Sequence, residues 1–378
     1  MKNILFIHQS AELYGSDKTL LLLLKHLDKT KFNSVVILPF DGPLKVELEK
    51  ENTKVVIAPV LKLYRRMFSF KNLWNFIKDK NKAFETIDEL NKYYKFDIIY
   101  SNTLAVLLGM IYAKKRKIKH IWHVHEIIVH PKIIATVFPK LLNAFSDLII
   151  CNSNATRENL TDRIAALKEK TIVVYNGIEI NEDIISTQEK FGLEKEDIIL
   201  TLVGRISRLK GHKWLLSTYI NQIQKRSNAK LLFVGSPVEN QEYYLEEIEN
   251  IISENKLEEK VKIIPFTKDL SQIWQITDIA IMPSTEAESF GLVAVEAMLA
   301  KKPVIGSNHG GLKEIIENNK TGLLIAPNDE EALAEAIFKL IEDPLLRKSF
   351  GENGYNRVVN EFSVDRYVES LENVFLKL

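Results

Sequence analysis

Apolar runs of four to six residues alternate along the chain with longer stretches whose apolar positions recur every three to four residues. The short runs fall at residues 4–8, 34–38, 54–57, 97–100, 120–124, 148–151 and 171–175. Asn176-Gly177 and a polar connection containing Glu179, Asn181, Glu182 and Asp183 interrupt the series. It then restarts at residues 198–203, 231–234, 261–264, 279–282, 303–306 and 322–325. Strand-length runs alternating with helix-length segments predict a parallel sheet covered by helices on both faces, and the restart predicts a second. Helical periodicity closes the chain at residues 330–342, 344–359 and 364–376, the last with Ser363 as N-cap. The expected class is α/β, with two doubly wound domains. Ligands of such sheets bind beyond the carboxyl ends of the strands, so two domains facing each other would place a site in the cleft between them.

The length of 378 residues suits two domains of roughly 180 residues each. A net charge of +1 conceals a split: residues 1–178 carry 28 Lys and Arg against 17 Asp and Glu, the remainder 23 against 33. Either the first half meets an anionic partner or its solvated surface varies by chance. Within it, residues 62–84 combine Lys62, Arg65, Arg66, Lys71, Lys78, Lys80 and Lys82 with six aromatics, and Lys114 to Lys117 with Lys119 form a second basic run. These segments suit an anionic membrane surface, or else the aromatics lie in the core and the charges face water. The single cysteine, Cys151, excludes a disulfide framework and a Cys-rich metal site, and reads as a small buried hydrophobe. The N-terminus reads as a buried strand rather than a leader peptide. No apolar run approaches the ~20 residues of a membrane span; residues 133–151 are broken by Pro139, Lys140, Ser146 and Asp147. A cytoplasmic protein, with peripheral contact to the membrane's inner face as an option, is expected.

Two segments concentrate unusual residues. In 283–298 a strand gives way to a polar loop with Glu286 and Glu288, then to a helix expected to begin near Phe290, with Glu296 about two turns in. The first N–H groups of that helix, at Gly291 and Leu292, make an anion site, and the two glutamates suit the hydroxyls of a polyol. In 203–212, Gly204 turns the chain at a strand end, and Arg205 and Lys210 bring a planar fork and a point charge to one diphosphate; Arg208 reads as a solvated neighbour. No Gly-x-x-x-x-Gly-Lys-Ser/Thr loop is present, and no Gly-x-Gly-x-x-Gly follows the first strand, which disfavours a P-loop nucleotidase and a dinucleotide oxidoreductase. Asn152-Ser153-Asn154 reads as a helix cap.

Arg205 with Lys210, the block from Glu288 to Glu296, Pro303-Val304-Ile305 and the run Gly310 to Ile316 resemble, in order and spacing, the retaining glycosyltransferases of family 4. Asn176-Gly177-Ile178 and Thr321-Gly322-Leu323-Leu324 add to the resemblance. It implies the GT-B fold: an N-terminal acceptor-side Rossmann-like domain at residues 1–178, a nucleotide-sugar-binding one at 179–360, and a C-terminal helix at 361–378 packing back toward the first. It also implies transfer of a sugar from a nucleotide diphosphate sugar to a hydroxyl acceptor, with retention. The acceptor would be a saccharide or lipid-linked saccharide of cell-surface polysaccharide synthesis. The alternatives are a nucleotide-sugar epimerase of the same architecture or a non-catalytic nucleotide-sugar-binding protein.

By the same resemblance Arg205 and Lys210 bind the diphosphate, Glu288 contacts the transferred sugar, Glu296 holds the ribose, and Phe290, Gly291 and Leu292 complete the donor site. His125, in Trp122-His123-Val124-His125-Glu126, resembles the histidine that the family projects into the cleft, where an imidazole can hydrogen-bond the donor sugar or the incoming hydroxyl, with His123 the competing choice. Gly15 and Ser16, in Tyr14-Gly15-Ser16-Asp17, stand at the acceptor-side loop where a double glycine is usual. Ser289 replaces the commoner glycine, and Glu179 the commoner aspartate after Asn176-Gly177-Ile178. No cofactor, essential metal or nucleic acid is expected.

Overall fold

The computed structural model describes residues 1–61, 70–180, 188–267 and 269–378, and their side chains apart from those of residues 70–75. The chain divides into two compact units, one formed by Met1–Glu179 with Val364–Leu378, the other by Ile180–Ser363.

In the first unit the strands are β1 (Lys2–His8), β2 (Phe32–Leu38), β3 (Lys54–Ile57), β4 (Ile98–Asn102), β5 (Lys119–Val124), β6 (Leu148–Cys151) and β7 (Thr171–Val173). They form a parallel sheet in the order β3-β2-β1-β4-β5-β6-β7. The second unit contains β8 (Ile199–Val203), β9 (Lys230–Val234), β10 (Val261–Ile264), β11 (Ile279–Met282), β12 (Val304–Ser307) and β13 (Gly322–Ile325). Their order is β10-β9-β8-β11-β12-β13, again parallel. Every strand read from the apolar runs is present, its ends shifted by no more than two residues. Most of the central strands are buried on both faces, which is why they read as continuous apolar runs. In both sheets the strand order reverses once, at β1/β4 and at β8/β11, so successive connections leave in opposite directions and open a crevice at the carboxyl ends.

Helix ends follow local chemistry. Ser153 caps the helix Asn154–Thr161 by accepting the Thr156 N–H at 2.9 Å, as expected for Asn152-Ser153-Asn154. Asp329 and Asp343 do the same for the helices Glu330–Glu342 and Pro344–Glu361. The last helix, Val364–Lys377, buries Tyr367, Val368, Leu371 and Phe375, a stripe of one helical face. This stripe belongs to the core of the first unit. The Phe375 ring lies 6.2 Å from Phe6, 5.8 Å from Phe32 and 5.8 Å from Tyr100.

Of the basic aromatic segment, Lys62, Tyr64, Arg65, Arg66 and Phe68, and the side chains of Phe70, Lys71 and Trp74, lie outside the described residues. Further along, Phe84 is buried and Phe76 is packed against the core of the first unit. In the second basic run Arg116 pairs with Asp88, the Lys115 ammonium sits 5.0 Å from the Phe84 ring, and Lys119 lies 3.1 Å from Asp147. No helix among the described residues is long and apolar enough to cross a membrane.

Replacing Phe375 with alanine removes the ring on which three others converge. It should destabilise the first unit by about 3 to 5 kcal/mol, the usual cost of deleting a buried aromatic. Urea unfolding of the Phe375→Ala variant measures this, and a transition unchanged in midpoint and slope would contradict the packing described.

Candidate functional site

Each unit carries a polar cluster at its strand-order reversal. In the second unit the chain leaves β8 through Gly204, whose Cα is covered by the methylene chain of Lys210; a Cβ there would come within 3.3 Å of Lys210 Cδ. The short turn that follows ends at Gly211, with φ of +76°, where a Cβ would fall 1.8 Å from the Pro283 carbonyl oxygen. Only glycine lets the loop after β8 press this closely on the loop after β11, and the Thr285 N–H donates to the Leu209 carbonyl at 2.9 Å across the contact. Lys210 Nζ thereby reaches Glu288 Oε1 at 2.8 Å, the two side chains being 26% and 18% exposed. The Ser284 hydroxyl donates to the same carboxylate oxygen. Burial raises the Glu288 carboxyl, but the Lys210 charge and the hydrogen bonds from Lys210 and Ser284 outweigh it and hold the group below its ordinary range. Glu288 is therefore an anion at neutral pH.

The loop after β12 completes this cluster. Its Gly311 N–H donates to the Glu288 main-chain carbonyl at 2.7 Å, and His309 Nε2 lies 2.9 Å from the Ser284 carbonyl. Gly291, with φ of +111°, forms the start of the helix Leu292–Leu299 and packs so closely on Leu312 that a Cβ would lie 2.7 Å from its Cδ2. That break sets the helix start two residues later than expected. Glu296, partly buried, consequently sits just over one turn in rather than two. Phe290 is 2% exposed with its ring 5.8 Å from Phe362, so its side chain is packed inside while its main chain borders the loop. Arg205 is exposed, one residue past Gly204, and Arg208 pairs with Glu286 at the surface.

In the first unit the two candidate histidines occupy different environments. His123, inside β5, is fully buried, with Nδ1 2.5 Å from the Tyr100 hydroxyl. His125 lies just beyond the end of β5, partly buried, its Nε2 2.9 Å from Asn102 Oδ1. Asn102 Nδ2 lies 3.0 Å from His8 Nδ1, and His8 Nε2 2.5 Å from Asp17 Oδ1. Burial and the neighbouring His8 lower the His125 imidazole to about 3 against the pull of Asp17, so the ring is neutral at neutral pH. Gly15 is exposed and opens the helix Gly15–His26, while the Ser16 carbonyl accepts from Asn102 Nδ2 at 3.3 Å. His8, Asp17 and Asn102 escape a sequence reading; the one hint is a polar residue closing an otherwise apolar strand, His8 after Ile4 to Ile7. Ser284 and His309 are likewise visible only in the folded chain.

Glu126 ties two loops together. Its Oε2 accepts the Leu104 and His125 N–H groups, each at 3.1 Å, and burial lifts its carboxyl from an ordinary 4.5 to about 7 despite those bonds. Cys151 is buried, which pushes its thiol to about 12. Among the described residues no group of three or more His, Cys, Asp or Glu side chains is arranged to hold a metal ion.

Comparison with known proteins adds to this geometry. Residues 14–182 match the family described as Glycosyltransferase Family 4, and residues 183–357 the one described as Glycosyl transferases group 1. The capsular polysaccharide biosynthesis glycosyltransferase CapM of Staphylococcus aureus is 30% identical over 61% of this chain. The match spans 62% of that relative's length. An uncharacterized glycosyltransferase of Methanocaldococcus jannaschii is 29% identical over 94% of this chain and 92% of its own. Among solved structures, Anabaena HepE in complex with UDP and glucose superposes with a TM-score of 0.85 at 26% identity, covering both chains completely.

The Glu126 carboxyl yields a signed expectation for stability. Because its folded value is raised, its contribution is present below about pH 4.5 and is lost as pH rises through about 7. The amide of Glu126→Gln cannot ionise, so the wild type should lose stability relative to the variant across that window. Parallel thermal melts between pH 4.5 and pH 8 read the difference, and a constant gap would contradict the assignment.

Proposed function

The chain belongs to glycosyltransferase family 4, and from that premise we propose that it transfers a sugar from a nucleoside diphosphate sugar to a hydroxyl of a saccharide acceptor, with retention of configuration. The observation that carries the reading is the meeting of Lys210 and Glu288, 78 residues apart in sequence, at the strand-order reversal of the second unit. A lysine and a carboxylate so placed, beside a helix start at Gly291, suit a sugar joined to a diphosphate: cation and N–H groups for the phosphates, anion for the sugar hydroxyls.

In the reaction proposed, the acceptor oxygen bonds to the anomeric carbon as the bond to the diphosphate oxygen breaks. The electron pair of that bond leaves on the diphosphate. Lys210, Arg205 and the first N–H groups of the helix Leu292–Leu299 stabilise the negative charge that develops there. The acceptor's proton moves to the departing phosphate oxygen on the same face of the sugar, which preserves configuration. Glu288, held ionised by Lys210 and Ser284, orients the sugar through its hydroxyls, and Glu296 is assigned to the ribose. His125, being neutral, serves as a hydrogen-bonding group rather than a cation. These groups supply the positive charge at the leaving group, so the scheme calls for no metal. Uridine nucleotides are the first donors to test, because HepE was solved with UDP-glucose as well as with UDP.

Incubating the protein with UDP-sugars, with and without a saccharide acceptor, tests the class of reaction. Acceptor-dependent release of UDP with an α-linked product from an α-linked donor is expected. An altered sugar and free UDP without acceptor would replace the proposal with an epimerase.

Two variants test the residue assignments. UDP at 100 times its dissociation constant should stabilise the protein by about 2.7 kcal/mol. Lys210→Ala should abolish most of that gain, read as a thermal shift alongside a circular dichroism control. Glu288→Gln should keep UDP binding within a few fold while lowering kcat by roughly 10²-fold, since its charge is used at the reacting sugar. Normal turnover in Glu288→Gln would remove the residue from the mechanism.

A further inference from the structure

Asp17, His8 and Asn102 are 1%, 0% and 2% exposed, so their polar atoms answer to one another rather than to water. The chain of contacts has a direction because one end is an acceptor only. Asp17 Oδ2 accepts the Tyr14 N–H at 2.9 Å, and Oδ1 faces His8 Nε2 at 2.5 Å. The proton in that second contact therefore sits on His8 Nε2, and the other ring nitrogen, Nδ1, presents its lone pair to its own neighbour. That lone pair faces Asn102 Nδ2 at 3.0 Å. The orientation of the Asn102 amide is fixed independently, because the Ser16 carbonyl, which accepts only, lies 3.3 Å from the same Nδ2. Asn102 Oδ1 must then point the other way, where it meets His125 Nε2 at 2.9 Å. An amide oxygen cannot donate, so His125 Nε2 carries the proton and Nδ1 carries a lone pair.

We infer that Asp17, His8 and Asn102 form a relay of fixed polarity that holds His125 in its Nε2–H tautomer, so that Nδ1 accepts a hydrogen bond from a sugar hydroxyl. The use of Nδ1 rests on the transferase reading; the tautomer does not. The register of the sheet assembles the relay: His8 on β1 is paired with Asn102 on β4, and Asn102 with His123 on β5, two residues before His125. Since His125 is neutral across the physiological range, its tautomer, not its charge, is the property left for its neighbours to set. Asp17, His8 and Asn102 are positioning residues. The main chain of His125 is anchored separately by Glu126 Oε2, so the relay sets the ring's protons, not the place of the strand end.

The test reads the tautomer directly. Long-range ¹H–¹⁵N spectra of ¹⁵N-histidine-labelled protein distinguish protonated from unprotonated ring nitrogens, and only eight histidines need assignment, with His125→Gln identifying the one of interest. The expected result is a protonated Nε2 and an unprotonated Nδ1 on His125. Asp17→Asn can donate to His8, which lets the whole relay reverse, so the His125 pattern should swap or average. If that variant fails to fold, the Asn102 pair decides: Asn102→Asp still offers His125 only an acceptor and should preserve the pattern, whereas Asn102→Leu should let the tautomers mix. A wild-type His125 protonated on Nδ1, or a pattern indifferent to both Asp17→Asn and Asn102→Leu, would overturn the relay. In the transfer assay Asp17→Asn should lower kcat by roughly 10²-fold with little change in KM for the donor. Full activity with a reversed tautomer would overturn the use of Nδ1, while absence of transfer by the wild type would count against the proposed function and leave the spectra to judge the relay.

Discussion

Both units depend on one topological constraint, the reversal of strand order inside a parallel sheet. Parallel neighbours need crossover connections of one hand, so a sheet that grows first in one direction and then in the other has one place where adjacent loops diverge. Here those places are β1/β4 and β8/β11. The buried relay ending at His125 gathers at the first, and the Lys210–Glu288 pair at the second. These polar groups stand at strand ends or on the short loops beyond them, and the sheets beneath provide rigidity.

Burial then sorts residues of one chemical type into different tasks. His120 is enclosed by the Phe145 carbonyl and the Ser101 hydroxyl, and burial lowers it to about 4. His123 is locked to Tyr100 inside the core, well below its ordinary value for the same reason and through the proximity of His125. His125 differs less in its charge than in its position at the mouth of the strand. The carboxylates show the same sorting. Glu288 stays ionised because a lysine and a hydroxyl meet its oxygen, whereas Glu126, with only main-chain N–H groups to oppose its burial, is pushed toward neutrality.

In the second unit, close approach of backbones does what side chains do in the first. Gly211 against Pro283 and Gly291 against Leu312 bring three consecutive strand-end loops into contact, and Glu288 is held through both its side chain and its main-chain carbonyl. That double attachment limits how far its carboxylate can move. A side chain at Gly211 would meet the Pro283 carbonyl and so strain the contact between the loops that carry Lys210 and Glu288.

The amino-acid sequence by itself determined the strands, the helices near the end of the chain and the family, because each is written in local periodicity or in motifs confined to one loop. Alternating strand and helix periods leave little freedom in where β1 to β13 lie, and Ser153, Asp329 and Asp343 mark helix starts by chemistry that acts over three residues. Glu288, Lys210 and His125 were singled out for the same reason: each stands in a recognisable local context. The tertiary structure alone decided which of these groups meet. His8 and Asn102 are 94 residues apart and come together only through the register of β1 on β4, which no local period encodes. That the Phe290 ring packs against Phe362, 72 residues away, is likewise a matter of the folded chain. The later start of the helix at Leu292 follows the positive φ at Gly291, where close packing on Leu312 also leaves no room for a Cβ. Local propensity acts between neighbours in sequence, whereas polarity, protonation and burial depend on neighbours in space.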